Sequence, residues 1–145
     1  MNDEELREAA RTLDSYNQQL EAITRQIRIL QSSRDDNIRA VRTIDALSKA
    51  KEGDEIMIPI GASSFVSVKV TGRKSAVVGI GNRVSVEKSF EDTKEYLMRS
   101  GAEVQDALEK ALAAMQEVQQ YTEQLAAEVQ DEYRRRRLQQ GAPQQ

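Results

Sequence analysis

The residues whose types and spacing could do chemistry are Gly79 and Gly81 in "VGIGNR", the run Arg134-Arg135-Arg136-Arg137, and the many carboxylates of the two Glu-rich segments. The glycine pair begins a GxGxxG fingerprint, whose backbone would cradle a pyrophosphate where a strand turns into a helix. The third glycine position is Val84, and the residues after it alternate as a strand does, so the fingerprint fails its context. No phosphate-binding loop sequence occurs elsewhere. Paired carboxylates do acid–base work only where a pocket drives their pKa values apart, and these lie on the polar faces of charged segments. The chain has no His and no Cys. That removes imidazole bases, thiolate nucleophiles, disulfides and the usual zinc sites. No catalytic residue, metal site or cofactor is expected, and the chain does not read as an enzyme. The four arginines could hold phosphate, but three other roles compete. They complement the negative end of a helix dipole, they could neutralise the acidic start "NDEE", or they could meet a protein partner. With acid and base nearly balanced at a net charge of −3, nucleic acid is not expected as a partner.

The elements that carry these groups are long helices. Leu6, Leu13, Leu20 and Ile27 recur every seventh residue, and Ala9, Tyr16, Ile23 and Leu30 follow each by three. Four such heptads define a coiled-coil seam. Asn2 with Glu5 has the spacing of a capping box. The seam breaks at Arg34 and Asn37 and resumes at Val41 and Ile44. The second segment opens on Ser89 with Asp92, another cap. Leu97, Val104, Leu108, Ala111, Met115, Val118, Leu125 and Val129 then continue the pattern, with Gly101 and Thr122 as its weak links. Each helix has about 45 residues and is about 70 Å long, so the two are expected to pair antiparallel. With Ala50 near Phe90, Arg34 should face Glu103 and Asp106, Leu6 should lie near Arg134, and the four arginines should flank Asp3, Glu4 and Glu5.

Between the helices, residues 56–88 alternate with period two. Ile56, Ile58 and Ile60 share a face, as do Val66, Val68 and Val70, then Ala76, Val78 and Ile80, then Val84 and Val86. Ser67, Lys69, Ser75, Ser85 and Glu87 fill the alternate positions, which is the pattern of half-buried strands. "TGRK" and "GNR" are expected to close hairpins, with "GASS" punctuating the first pair. Four strands with an apolar face and open edges need cover. If each helix spends its stripe on the other, that cover must come from other subunits. Ile56, Ile58, Ile60, Val66, Val68, Val70, Val78, Ile80, Val84 and Val86 are therefore the expected oligomerisation residues. The domain plan is residues 1–51 helix, 52–88 two hairpins, 89–138 helix and 139–145 a flexible tail. The polar start has no signal-peptide character and no apolar run is long enough for a membrane span, so a cytoplasmic protein is expected.

A heptad helix, a Gly-rich strand block carrying "IPIGASSFV" and "VGIGNRVSVEKSFED", and a second heptad helix resemble the archaeal prefoldin alpha subunit, from about Glu4 to Arg137. The specific part is the strand block, through Pro59, Gly61, Ala62, Phe65, Val66, Gly79, Gly81, Val86, Glu87 and Lys88. Ser63-Ser64 departs from the family pattern, where Gly with another small residue is common. Four strands match the alpha type, since a beta type has one hairpin. The resemblance implies an α+β chain, with a long antiparallel coiled coil and two β-hairpins that oligomerise into a β-barrel body. It implies two alpha with four beta subunits, and ATP-independent capture of unfolded polypeptides at the coiled-coil tips for transfer to a group II chaperonin. The expected client-binding residues are Leu6, Ala10, Leu13, Val129, Tyr133 and Leu138, of which Ala10, Tyr133 and Leu138 fall outside the strict seam. Ordinary seam packing with fraying is the competing reading of each. The alternative function is a scaffolding coiled coil docking one fixed partner, which should pair its seam fully to the end.

Overall fold

A computed structural model of the chain describes residues 1–141. Helix α1 spans Asp3–Lys49 and helix α2 spans Phe90–Gln140. Between them lie strands β1 (Glu55–Gly61), β2 (Ser64–Lys69), β3 (Ser75–Gly81) and β4 (Val84–Ser89). The helical ends follow from local chemistry. The Glu5 amide donates to Asn2 Oδ1 at 2.8 Å and the Asn2 amide to Glu5 Oε2 at 3.0 Å, a reciprocal capping box. At the start of α2 the Asp92 amide donates to Ser89 Oγ at 3.1 Å. Helix α2 continues through Gln139 and Gln140, which the sequence assigns to the tail. Gly141 follows it, its amide donating to the Arg137 carbonyl at 3.0 Å, and residues 142–145 of that tail lie outside the described residues.

The chain divides into two compact units. One holds Met1–Gln31 with the chain from Asp106 onward. Its two helical segments run antiparallel, because Leu6, Ala9 and Leu13 pack with Leu125 and Val129, while Ile27 packs with Leu108 and Ala111. Leu108 is fully enclosed, at 2% exposure. Tyr16 and Tyr121 stack with centroids 6.2 Å apart. Asp3 with Arg136 in this unit, and Asp45 with Lys94 and Asn37 with Gly101 in the other, lie within about one or two residues of the register expected from the heptad seams.

The other unit is Ser32–Gln105. Its helical segments are also antiparallel: Gly101 lies by Asn37, and Lys94 Nζ meets Asp45 Oδ1 at 2.6 Å. Arg34 pairs with its neighbour Asp35 at 3.5 Å, and in the first unit Asp106 pairs with Lys110 at 3.1 Å. Both charges are thereby satisfied along their own helices.

The four strands form two separate two-stranded sheets, β1 with β2 and β3 with β4. The hairpins repeat one design. Each has a two-residue loop with both φ angles positive, Ala62-Ser63 (49° and 57°) and Asn82-Arg83 (50° and 61°). That is the twist hairpins favour. In each, Gly61 or Gly81 precedes the loop at φ 101° or 111° and the register shifts by one residue. This bulge places glycine where other residues would be strained, and it accounts for Gly81 without a nucleotide; the counterpart of Gly79 in the first hairpin is Pro59. "TGRK" closes no hairpin; it links β2 to β3, which are unpaired. Its charges hold it elsewhere. Arg73 pairs with Glu87, and Lys74 Nζ donates to the carbonyls of Leu47 (3.1 Å) and Ala50 (2.8 Å) at the end of α1. A cation there satisfies orphan carbonyls and complements the helix dipole.

Candidate interaction surfaces

The unit that contains both chain ends closes on polar contacts. Arg136 donates from Nη1 to Asp3 Oδ1 (2.6 Å), from Nη2 to the Met1 carbonyl (3.1 Å) and from Nε to Glu132 Oε1 (3.1 Å). Glu132 is buried although it is an acid at a seam position. The Arg136 hydrogen bonds hold the Asp3 and Glu132 carboxyls below their ordinary values. The expectation that the arginine run meets the acidic start is realised through this one arginine. Arg134 and Arg137 share another helix face with Gln130 and Tyr133.

The six residues read as client-binding separate into two groups. Leu6, Leu13 and Val129 are in the seam and packed. Ala10, Tyr133 and Leu138 are outside it, with Tyr133 half exposed and Leu138 70% exposed. Asp3 fixes Arg136 at the first turn of α1, and α2 continues one turn further to Gln140. Leu138 therefore has no opposing segment of α1. The sequence pattern missed Glu132 and Arg136 as seam positions, because heptad reading tracks apolar residues.

On the hairpins, Ile56 opposes Val68 and Ile58 opposes Val66. Ile58, Ile60, Val66, Ile80 and Val84 are exposed, while Ile56, Val68, Val70 and Val86 are half-buried. Val78 differs from the other nine, being 8% exposed within the chain itself. A cleft of about 620 Å³ brings Val78 and Ala76 together with Ile44, Thr93, Tyr96 and Leu97. The helices thus do cover part of the second hairpin, contrary to the expectation that their stripes are wholly spent on each other. Thr93 is buried there and its hydroxyl has no hydrogen-bond partner among the described residues. Lys88 caps the Tyr96 ring at 5.5 Å. The face expected to be wet also carries apolar groups: Met57, Phe65 and Val77, the last 75% exposed. Counting both strand faces would have found them. Among the described residues there is no cluster of acidic side chains suited to a metal ion, and no helix is long and apolar enough to cross a membrane. These surfaces can bury apolar area and pair charge.

The "Prefoldin subunit" family model matches residues 16–135. The chain is 30% identical over 129 residues to "Prefoldin subunit alpha 1" of Methanocaldococcus jannaschii, covering 89% of this chain and 88% of that one. It is 33% identical over 95 residues to "Prefoldin subunit alpha" of Methanothrix thermoacetophila, covering 66% of this chain and 62% of that one. Two solved structures share the fold. A chain of the filamentous PFD from Methanocaldococcus jannaschii has TM-score 0.54 at 24% identity, covering 89% of this chain and 98% of that one. The prefoldin beta subunit from Thermococcus strain KS-1 has TM-score 0.55 at 13% identity, covering 88% and 90%.

Proposed function

Because the chain belongs to the prefoldin subunit family and is thus a chaperone subunit, we propose that it is an alpha-type subunit that holds unfolded polypeptides without ATP. Its hairpins join two such chains with four beta subunits, their open edges and exposed apolar faces closing into a barrel body. Its helix ends take the client and pass it to a group II chaperonin. The observation that carries the client site is the exposed apolar trio Ala10, Tyr133 and Leu138 at helix ends whose seam is otherwise packed. A scaffold docking one rigid partner gains nothing from an unopposed turn of helix. A holdase does, since several such ends act together on scattered apolar groups and each contact can be weak.

The test removes Met1–Leu13 and Val129–Gln145 from the chain within its assembly with beta subunits. The cluster of Ile27, Leu108 and Ala111 remains to hold the helices together. The assembly mass should persist while suppression of aggregation of a denatured protein falls sharply. Full suppression by the trimmed assembly overturns the assignment of the ends. Loss of client transfer to a fixed chaperonin with suppression intact would favour the docking reading.

A further inference from the structure

Three irregularities of the heptad seam have no part in the proposed function: Arg34, Asn37 and Gly101. They fall together. The Asn37 amide nitrogen donates to the Ser33 carbonyl at 3.1 Å, so its polar head turns back along its own helix. Opposite it, a Cβ on Gly101 would meet only Asn37, at 3.6 Å from its Cβ. The missing side chain leaves a notch. Ile38 and Met98 beside it are exposed, with Met98 at 57%, and with Leu97 they line a groove of about 450 Å³. Its charged lining residues are Arg34 and Arg42, with no carboxylate among them. Arg34 has Asp35 as its ion-pair partner, whereas Arg42 has no ion pair among the described residues.

We propose that this groove docks one short amphipathic helix of a protein partner, with apolar anchors on one face and Asp or Glu at its ends. The apolar floor takes anchors at helical spacing, as grooves between helices do. Met98 can repack around unlike anchors, because an unbranched thioether has many shapes. The two arginines lie eight residues apart on one helix face, about 12 Å, and set the sign of the ends: carboxylates are attracted and lysines repelled. Asn37 and Leu97 also line the cleft under the second hairpin, but none of these residues belongs to the helix ends, so this site is independent of the client reading.

The test uses the full chain in its native assembly and a fluorescein-labelled peptide with Leu at i, i+3, i+4 and i+7 and Glu at both ends. Anisotropy should show saturable binding. Met98→Glu, at an exposed position, should weaken it roughly tenfold or more, and Ile38→Gln should repeat the loss. Arg42→Gln should cost about threefold, the scale of one exposed ion pair. Ile29→Gln, at an exposed position outside both the groove and the helix ends, should leave binding unchanged. The proposal is overturned if the Lys-ended peptide binds equally well, if no saturable binding occurs, or if Met98→Glu and Ile38→Gln leave affinity intact. A change of assembly mass on Met98→Glu also overturns it, since the groove would then be covered by another subunit.

Discussion

Replacing Gly101 by Ala should stabilise the protein, although the site is at a helix–helix contact where added bulk usually harms. Gly101 is half-buried inside α2, and its φ is not in the left-handed region. Glycine in a helix interior costs about 0.8–1 kcal/mol relative to alanine. The new methyl would lie 3.6 Å from Asn37 Cβ and 4.0 Å from its Cγ, ordinary van der Waals distances that need no shift. Partial burial of that methyl adds a few tenths of the roughly 0.8 kcal/mol of a fully buried carbon. The sum is about 1 to 1.5 kcal/mol, or roughly 3–6 °C in Tm for a chain of this size. Thermal unfolding followed by circular dichroism at fixed protein concentration measures it, since assembly makes Tm concentration-dependent. The same substitution narrows the notch and should weaken the Glu-ended peptide. A destabilised Gly101→Ala would refute the reasoning. It would mean that the helices approach more closely at Asn37 than 3.6 Å allows.

Leu108→Ala should cost about 2–5 kcal/mol in urea unfolding, because Leu108 is 2% exposed against Ile27 and Ala111. Lys74→Met should lose about 0.5–1 kcal/mol by removing the cation from the Leu47 and Ala50 carbonyls, seen as faster hydrogen exchange in the last turn of α1. The folded-state pKa values of Asp3 and Glu132 are depressed, so their contribution is present above the ordinary carboxylate range and lost as pH falls through the lowered values. Hydrogen-exchange protection factors in the first turns of α1, corrected for the intrinsic rate, should therefore fall below about pH 4, and Arg136→Gln should reduce that pH dependence. Val66→Asp should disperse the assembly in sedimentation with helix content retained, since Val66 is exposed in the isolated chain and a charge there opposes burial between subunits.

The helices, their caps and the strand boundaries were legible because each has a local cause. Heptad spacing marks the seam from Leu6 to Val129, and Asn2-x-x-Glu5 marks the first turn. The hairpin loops were legible at "GASS" and "GNR", where glycine and small residues permit positive φ. "TGRK" reads equally well as a turn, and only the partners of Arg73 and Lys74 distinguish a linker from a hairpin. Those partners are Glu87 and two α1 carbonyls, distant in sequence. At the helix ends the apolar residues were found but not sorted. Leu6 and Val129 pack while Tyr133 and Leu138 do not: Tyr133 lies on the helix face of Gln130, Arg134 and Arg137, and Leu138 lies where α2 outruns α1, a property of two segments at once. Val78 was read as an intersubunit residue, and its cover by this chain depends on where the second hairpin lies against Ile44 and Leu97.

The most direct test of a chaperone that holds clients at its helix ends is aggregation suppression by the assembly carrying Tyr133→Ser and Leu138→Ser. Both side chains are exposed, so neither change should disturb helix content or assembly mass. Light scattering of a chemically denatured protein diluted into the native assembly, without ATP, gives the readout. Suppression should fall markedly for the double variant, and further when the beta subunits are altered at their own ends. Suppression equal to that of the unaltered assembly, at equal mass and helix content, would contradict client holding at these residues.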